Sequence, residues 1–290
     1  MNDGTYWNPA VSEVERAPGQ LVISRCEPKV MRTPHWHTQV EVNYVFRGTL
    51  DYEMDGYALR LVPGDLVLFW GGQPHRLATV APGSFFHAIH LPLFDFFRLR
   101  LPSATMARIM GGATLVARAR QAEDDCGFRR RGEWMASGRA HLIGHAVEEL
   151  LLRLGRFGFE PHETHTAPSA APLPDQGREG SHLVERLCAY ITENFREDIQ
   201  CATIAAHADV HPKYAMAAFK RSTGMSLLEY LTLLRVSYAQ ALLSEDRHSI
   251  LQVAMDSGFG SVSAFNKSFR KRAGMNPSEF KRRQRGHQPA

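Results

Sequence analysis

Three histidines and a carboxylate stand near the N-terminus at spacings that permit metal or ligand chemistry: His35-x-His37-x3-Glu41, and His75 within Pro74-His75. Side chains of a β-strand alternate between its two faces, so a strand here puts His35, His37, Gln39 and Glu41 on one side. Three imidazoles and one carboxylate make a set able to hold Fe, Mn, Zn or Ni. The same groups can instead line a pocket for a small polar molecule. Trp36 and Trp70 add flat apolar surfaces and Asn43 a further hydrogen-bonding group, a mixture suited to a sugar. Arg25, Arg32, Arg47, Arg60 and Arg76 are dense around the same stretch. A guanidinium takes carboxylate or phosphate with two parallel hydrogen bonds, so an anionic metabolite or nucleotide is a second ligand class.

A second group of chemistry-bearing residues is basic and lies at the other end. The whole chain of 290 residues carries 34 Lys+Arg and 30 Asp+Glu, a formal charge of only +4. From Ser181 onward there are 15 basic and 10 acidic residues, against 19 and 20 before it. The surplus is thickest at Lys267, Arg270, Lys271 and Arg272 and at Lys281, Arg282, Arg283 and Arg285. Such a cluster on one element points to a phosphate backbone as partner.

The elements that carry these groups differ in texture. From about Leu21 to Leu93, short apolar or alternating runs (VEVNYVF, TLDYEM, YALRLV, DLVLFW, SFFHAIHL) are cut by Arg47-Gly48, Asp55-Gly56 and Pro63-Gly64. That pattern predicts an antiparallel sandwich or barrel. Within 139–157, Leu142, Ile143, Ala146, Val147, Leu150, Leu151 and Leu154 form one helical face, wide enough to pack on the barrel and to meet a second copy. Residues 161–181 hold four prolines and almost nothing apolar, which reads as a flexible linker.

After the linker the chain repeats itself. Phe219-x4-Gly224-Met225-x4-Tyr230 returns as Phe269-x4-Gly274-Met275-x4-Phe280, and Asp209-Val210 is answered by Gly258-Phe259. Each unit, at about 201–224 and 250–274, reads as helix, tight turn, helix and terminating glycine, the helix-turn-helix pattern. Pro212 suits the first position of a helix, and Ser261 suits an N-cap. A helix over Leu227–Leu243 would span roughly 25 Å. A rod of that length can hold two recognition helices about one DNA turn apart, roughly 34 Å.

The segments TIAAHADVHPKYAMAAFKRSTGMS, LLEYLTLLRVSYAQALL and ILQVAMDSGFGSVSAFNKSFRKRAGMNPSEFKR resemble the DNA-binding domain of AraC/XylS-type transcription regulators. In the first unit Phe219 and Tyr214 are expected inside, with Lys213, Met216, Ala217 and Lys220 outside. The resemblance implies base contacts at Lys213, Met216 and Ala217, although Met and Ala offer only apolar contact, for instance to a thymine methyl. In the second unit Phe265 and Phe269 are expected in the core, with Val262, Ser263, Asn266 and Lys267 outside. Asn pairs well with adenine and Lys with guanine. Arg270 and Lys271 read as phosphate contacts, which fix register without reading sequence. His211 is either a phosphate contact or a turn residue.

The barrel has a resemblance of its own. His35-x-His37-x3-Glu41-x6-Gly48 is similar to the first cupin motif, and Pro63-Gly64-Asp65 with Pro74-His75 to much of the second, with Thr79 where that motif has Asn. The stretches PHWHTQVEVNYVFRG and FWGGQPH look like the sugar-sensing branch of the AraC family, near melibiose-type regulators. The resemblance therefore implies a ligand pocket at His35, Trp36, His37, Gln39, Glu41, Trp70, His75, Arg25, Arg32 and Arg76. The alternatives are a metal at His35, His37, Glu41 and His75 serving an enzyme, and a DNA-binding protein that responds to no ligand.

The expected arrangement is α+β: residues 1–160 a cupin-like antiparallel barrel with flanking helices, sensing a ligand and dimerising; 161–181 a linker; 182–290 an all-α domain of seven-helix type with two helix-turn-helix units. No cofactor or catalysis is expected. The expected partners are double-stranded DNA, a small-molecule effector, a second copy of the chain and, for an activator, RNA polymerase. No window approaches the ~18–20 apolar residues of a membrane span. The first residues, MNDGTYWNPAVSEVER, lack the basic and apolar regions of a secretory signal, and Cys26, Cys126, Cys188 and Cys201 form no Cys-x-x-Cys pair. Both features lead to the expectation of a cytoplasmic protein with reduced thiols.

Overall fold

The structure, a computed structural model, describes residues 14, 17–31, 34–99, 101–118, 123–166, 177–244 and 247–285. Arg32 and residues 167–176 of the expected linker lie outside the described residues.

The N-terminal half is built from nine antiparallel strands: β1 (Val22–Cys26), β2 (Val40–Arg47), β3 (Leu50–Met54), β4 (Tyr57–Leu61), β5 (Leu66–Trp70), β6 (Arg76–Val80), β7 (Phe85–Leu91), β8 (Thr114–Ala117) and β9 (Glu163–His165). They form a six-stranded sheet ordered β1-β7-β2-β5-β8-β9 and a three-stranded sheet ordered β4-β3-β6. Period two sorts their side chains. Val45, Val67, Phe69, Phe86, Ala88 and Val116 face Leu50, Tyr52, Leu59, Leu61 and Leu77 to form the space between the sheets. Their neighbours Val42, Tyr44, Leu66, Leu68, Ile89, Leu91 and Leu115 point the other way, into a helical layer. With both faces covered, β2 is buried from Val40 to Val45.

That layer is α1 (Leu93–Arg98), α2 (Ser103–Met110), α3 (Asp124–Ala136) and α4 (Ala140–Gly155), followed by a 3-10 turn at Arg156–Gly158. The helix expected at 139–157 is α4, with Ala146, Leu150, Leu151 and Leu154 buried. A bidentate pair of Arg153 with Asp124, 2.6 and 2.8 Å, joins α4 to the start of α3. Residues 163–165, inside the stretch expected as linker, pair with β8 instead.

The C-terminal half is helical: α5 (Gly177–Asn194), α6 (Cys201–His207), α7 (Pro212–Thr223), α8 (Leu227–Ser244), α9 (Ile250–Asp256), α10 (Val262–Ala273) and α11 (Pro277–Arg285). Both units start and stop as their sequences dictate. His211 caps α7, its ring nitrogen accepting the Lys213 N–H at 3.3 Å, with Pro212 at the first helical position. Ser261 caps α10 by accepting the Ala264 N–H at 3.2 Å. The 50-residue repeat continues into the next helices, where Ser226 with Glu229 and Asn276 with Glu279 close α8 and α11 at their first turns.

Helix α8 is the shared rod. Leu227, Tyr230, Leu231 and Leu234 pack into the first unit with Phe219. Leu233, Val236, Ala239, Leu242 and Leu243 pack into the second with Phe265 and Phe269. A buried phenylalanine contributes roughly 1.5–3 kcal/mol of hydrophobic stabilisation, so Phe219, Phe265 and Phe269 are main anchors of the two units. The first-unit core is continuous with the layer under the large sheet, through Leu183, Leu187 and Ile191 of α5.

Candidate functional site

Inside the β-sandwich the two histidine-bearing segments are tied together through their backbones. The His35 N–H donates to the His75 carbonyl at 2.9 Å and the His75 N–H to the His35 carbonyl at 3.0 Å. The side chains of His35, His37, Glu41 and His75 then converge, with one ligand-capable atom from each lying within 4.8 Å of the others, all four residues buried. Glu41 is the hub. Its Oε2 lies 3.1 Å from both His37 Nε2 and His75 Nε2, and its Oε1 accepts from Asn43 Nδ2 at 2.7 Å and from the Tyr52 hydroxyl at 3.3 Å.

Electrostatics in this cluster are set by burial and by the carboxylate. Burial opposes ionisation of Glu41, yet the hydrogen bonds from His37 and His75 outweigh it and hold the carboxyl well below its usual range. Burial lowers His35 and His37, with neighbouring histidines adding to the effect. His90 is lowered to about 3, chiefly by burial. The centre therefore presents a carboxylate beside His35, His37 and His90, whose rings burial holds neutral. His75 Nδ1 lies 2.8 Å from the Gln73 carbonyl while its Nε2 faces Glu41, so both ring nitrogens meet acceptors.

Other expected pocket residues go elsewhere. Trp36 sits between two inward histidines, and alternation sends its ring outward, where it is buried with Leu233, Phe265 and Phe269 of the helical half rather than lining the barrel mouth. Trp70 packs against the same cluster. Gln39 is buried, but its amide donates to the Val14 carbonyl at 2.8 Å. Arg76 follows His75 and so points out, forming a two-bond pair with Glu53 at 2.6 and 2.8 Å. Arg25 is exposed with its guanidinium over the Phe85 ring. Arg47 and Arg60 reach only Gly83 and Asp51. The described arginines thus leave the centre to histidine, glutamate and asparagine.

His90 and Tyr52 are additions that sequence reading missed. His90 stands opposite Glu41 in the β2–β7 register, with its Nε2 3.9 Å from the carboxylate. The signal was present: His90 has the same strand parity as the inward residues Phe86 and Ala88. Thr79, at the position where the motif expects Asn, points outward to Asp51.

In the helical half, Lys213, Met216, Ala217 and Lys220 are exposed on α7. Tyr214, expected inside, is 52% exposed, because Ala215 and Ala218 take the inward positions of that turn. On α10, Ser263, Asn266, Lys267, Arg270 and Lys271 are exposed, whereas Val262 is half-buried against the second-unit core and Ala264 faces out. Asn266, Lys267, Arg270 and Lys271 line a groove of about 1060 Å³ with Ile250, Asn276, Ser278, Lys281 and Arg282. The first turn of α11 thus joins the second recognition helix in one cationic surface. Arg272 turns away from it, towards Trp36.

Comparison with known proteins matches both halves. Residues 204–283 match the helix-turn-helix domain family and residues 22–88 the cupin domain family. The melibiose operon regulatory protein of Escherichia coli K12 is 29% identical over 97% of this chain and 96% of its own. The chain is similar to AraC-type transcription regulators through both of its halves. The HTH-type transcriptional activator RhaR of Klebsiella pneumoniae is 24% identical, over 89% of this chain and 90% of its own. The arabinose operon regulatory protein of Salmonella typhimurium is 25% identical, over 83% and 82%. Its fold is shared with ToxT of Vibrio cholerae, whose apo form superposes with a TM-score of 0.50 at 12% identity, covering 90% of this chain and 96% of that one. No helix among the described residues is long and apolar enough to cross a membrane.

Proposed function

We propose that this regulator is a cytoplasmic, effector-responsive activator in which residues 1–160 sense and dimerise and residues 182–290 read DNA. One observation carries the DNA-reading part: the groove on the second unit combines amide, hydroxyl and cationic side chains on a recognition helix held at the end of a rigid rod. Asn266 and Lys267 in this groove, with Ser263 one turn earlier on the helix, contact base edges, while Arg270 and Lys271, with Lys281 and Arg282, contact phosphates. The first unit contributes base contacts through Lys213 and, apolar ones, through Met216 and Ala217, with exposed Lys220 and Tyr214 beside them. The α4 side supports pairing of two copies, since Leu152 is 70% exposed there and Phe159 79% just beyond. Recruitment of RNA polymerase is the corresponding activating step.

The effector site we assign to the space around Glu41, with His35, His37, Asn43, Tyr52, His75 and His90 as hydrogen-bonding walls. A neutral, hydroxyl-rich ligand suits a centre of imidazoles and one carboxylate, and the relatives named for the melibiose and arabinose operons support a sugar. A change of the barrel on binding would alter how the two tethered readers engage adjacent sites. Thermal shift of the full chain against neutral sugars, sugar acids and nucleotides tests this, because an effector stabilises the folded protein by mass action. Saturable stabilisation that Glu41→Gln abolishes is expected; no stabilisation by any neutral sugar contradicts the assignment.

A second reading rests on His75. With acceptors at both ring nitrogens, a cation between His75 and Glu41 would satisfy the pair, and His35, His37, Glu41 and His75 would hold it. Such a metal would supply Lewis-acid or redox chemistry to a bound molecule. A stoichiometric transition metal in purified protein, lost in His75→Ala together with turnover, would make the barrel an enzyme.

A further inference from the structure

Arg272 belongs by sequence to the basic cluster of the second unit, yet it is directed into the contact between the two halves. Its guanidinium carbon lies 5.9 Å from the centre of the Trp36 ring. Its Nε and Nη2 are buried and have no hydrogen-bond partner among the described residues. The same holds for Nε1 of Trp36, a residue only 3% exposed, and for Nε1 of Trp70, which packs against the same cluster. Every one of these unmatched atoms is a donor. Among the described residues no carboxylate is at ion-pair distance from Arg272; Asp55, in the β3–β4 turn, acts on it only through its more distant charge.

Unmatched buried donors are costly, and several gathered around one cation ask for a shared acceptor that carries charge. Arg272 is half-buried rather than enclosed, so a small group has a way in beside it. We propose that the Trp36–Arg272 contact is an oxyanion-binding site bridging the sensor and the second helix-turn-helix unit, taking the carboxylate or phosphate group of a small metabolite. The guanidinium holds the oxyanion through its free edge, and the Trp36 indole N–H donates to it. Burial lowers the Arg272 pKa to about 10, which leaves the group charged at neutral pH and in need of a counter-charge.

The position gives the site its consequence. Trp36 lies in the chain between His35 and His37, and Arg272 is in the last turn of α10. An anion held there clamps the second recognition helix to the segment that carries His35 and His37. The site stands apart from what the barrel itself binds.

The test uses the full chain, with inorganic phosphate, D-glucuronate and D-glucose 6-phosphate as probes and D-glucose as the neutral match, all at one ionic strength. Thermal shift and tryptophan emission are read together, since Trp36 and Trp70 are two of the four tryptophans. A saturable response to at least one charged probe is expected, at least ten-fold weaker in Arg272→Met, partly kept in Arg272→Lys and weakened a few-fold in Trp36→Phe. Glu41→Gln is expected to leave that affinity unchanged. Response to phosphate alone would mark a free-anion site, and response to glucuronate or glucose 6-phosphate a metabolite site; both support the proposal. It is overturned if no charged probe binds, if Arg272→Met or Arg272→Lys binds as wild type does, or if D-glucose matches D-glucuronate. It is also overturned if Arg272→Met lowers the salt slope of DNA binding by about one, which would place the guanidinium on a DNA phosphate.

Discussion

Asp209 and Gly258 occupy the same place in the two helix-turn-helix units, and both have left-handed backbone, with φ of 52° and 81°. Asp209 is the one non-glycine residue with positive φ among the described residues. The turn therefore imposes its conformation on whichever residue stands there. A Cβ on Gly258 would meet the backbone of Phe195 and Arg196 at 2.8 Å, so the second unit tolerates only glycine. Gly258→Ala should cost more than about 2 kcal/mol, combining left-handed strain with the clash, whereas Asp209→Gly should stay within about 0.5 kcal/mol of wild type. Urea unfolding of the full chain measures both; equal losses would remove the distinction.

Glu41 accepts from Asn43 and Tyr52 and faces His37 and His75, all buried. Removing it leaves several buried donors without an acceptor, each costing about 1–3 kcal/mol. Glu41→Ala should destabilise the protein by on the order of 3 kcal/mol or more, and Glu41→Gln, which keeps an acceptor oxygen, by less. A Glu41→Ala protein as stable as wild type would mean that the cluster does not hold the barrel together.

His87 lies on the outer face of β7, under α3, and its pKa is lowered to about 4 by burial and by the charges of Arg25, Arg131 and Arg129. Above about pH 6.5 both folded and unfolded chains keep it neutral, so it leaves stability unchanged there. As pH falls from about 6.5 to about 4 the unfolded chain gains a proton that the folded chain refuses, and stability falls by up to about 1.4 kcal/mol per pH unit. His87→Asn should flatten that slope, as read from denaturant midpoints at several pH values. An unchanged slope would show that His87 is protonated in the folded protein.

On α10, Arg270→Ala should weaken DNA binding by a similar factor on every sequence and reduce the salt slope by about one. Asn266→Ala should cost about 1–3 kcal/mol on the preferred site and relax the choice of base at one position. Fluorescence anisotropy on matched and single-substituted duplexes separates the two. A uniform loss from Asn266→Ala would reassign it to the backbone.

Much of this was legible in the sequence because the signals are local and periodic. The 50-residue repeat located Gly224 and Gly274, both left-handed helix caps, and the motif spacing picked out His35, His37 and Glu41, which converge although His35 and His37 precede β2 rather than lying on it. The misplacements share a physical cause. Trp36 and Arg76 were grouped with their histidine neighbours by proximity in the chain, when side-chain alternation sends them to the opposite face. Tyr214 is expected inside with Phe219, but the small Ala215 and Ala218 fill the inward positions of α7. His90, Tyr52 and the Trp36–Arg272 contact depend on strand order and on the docking of two distant segments, which no local pattern encodes.

The most direct test of the central claim is a footprint of the full chain on DNA sites selected from random sequence. Helix α8, with 18 residues, is about 27 Å long and sets the separation of the two recognition helices. Each protomer should protect two successive major-groove segments about 10 base pairs apart on one face of the duplex, with Asn266→Ala altering only the segment under α10. Protection of a single segment per protomer, or binding with no sequence preference, would contradict a reader built from two helix-turn-helix units.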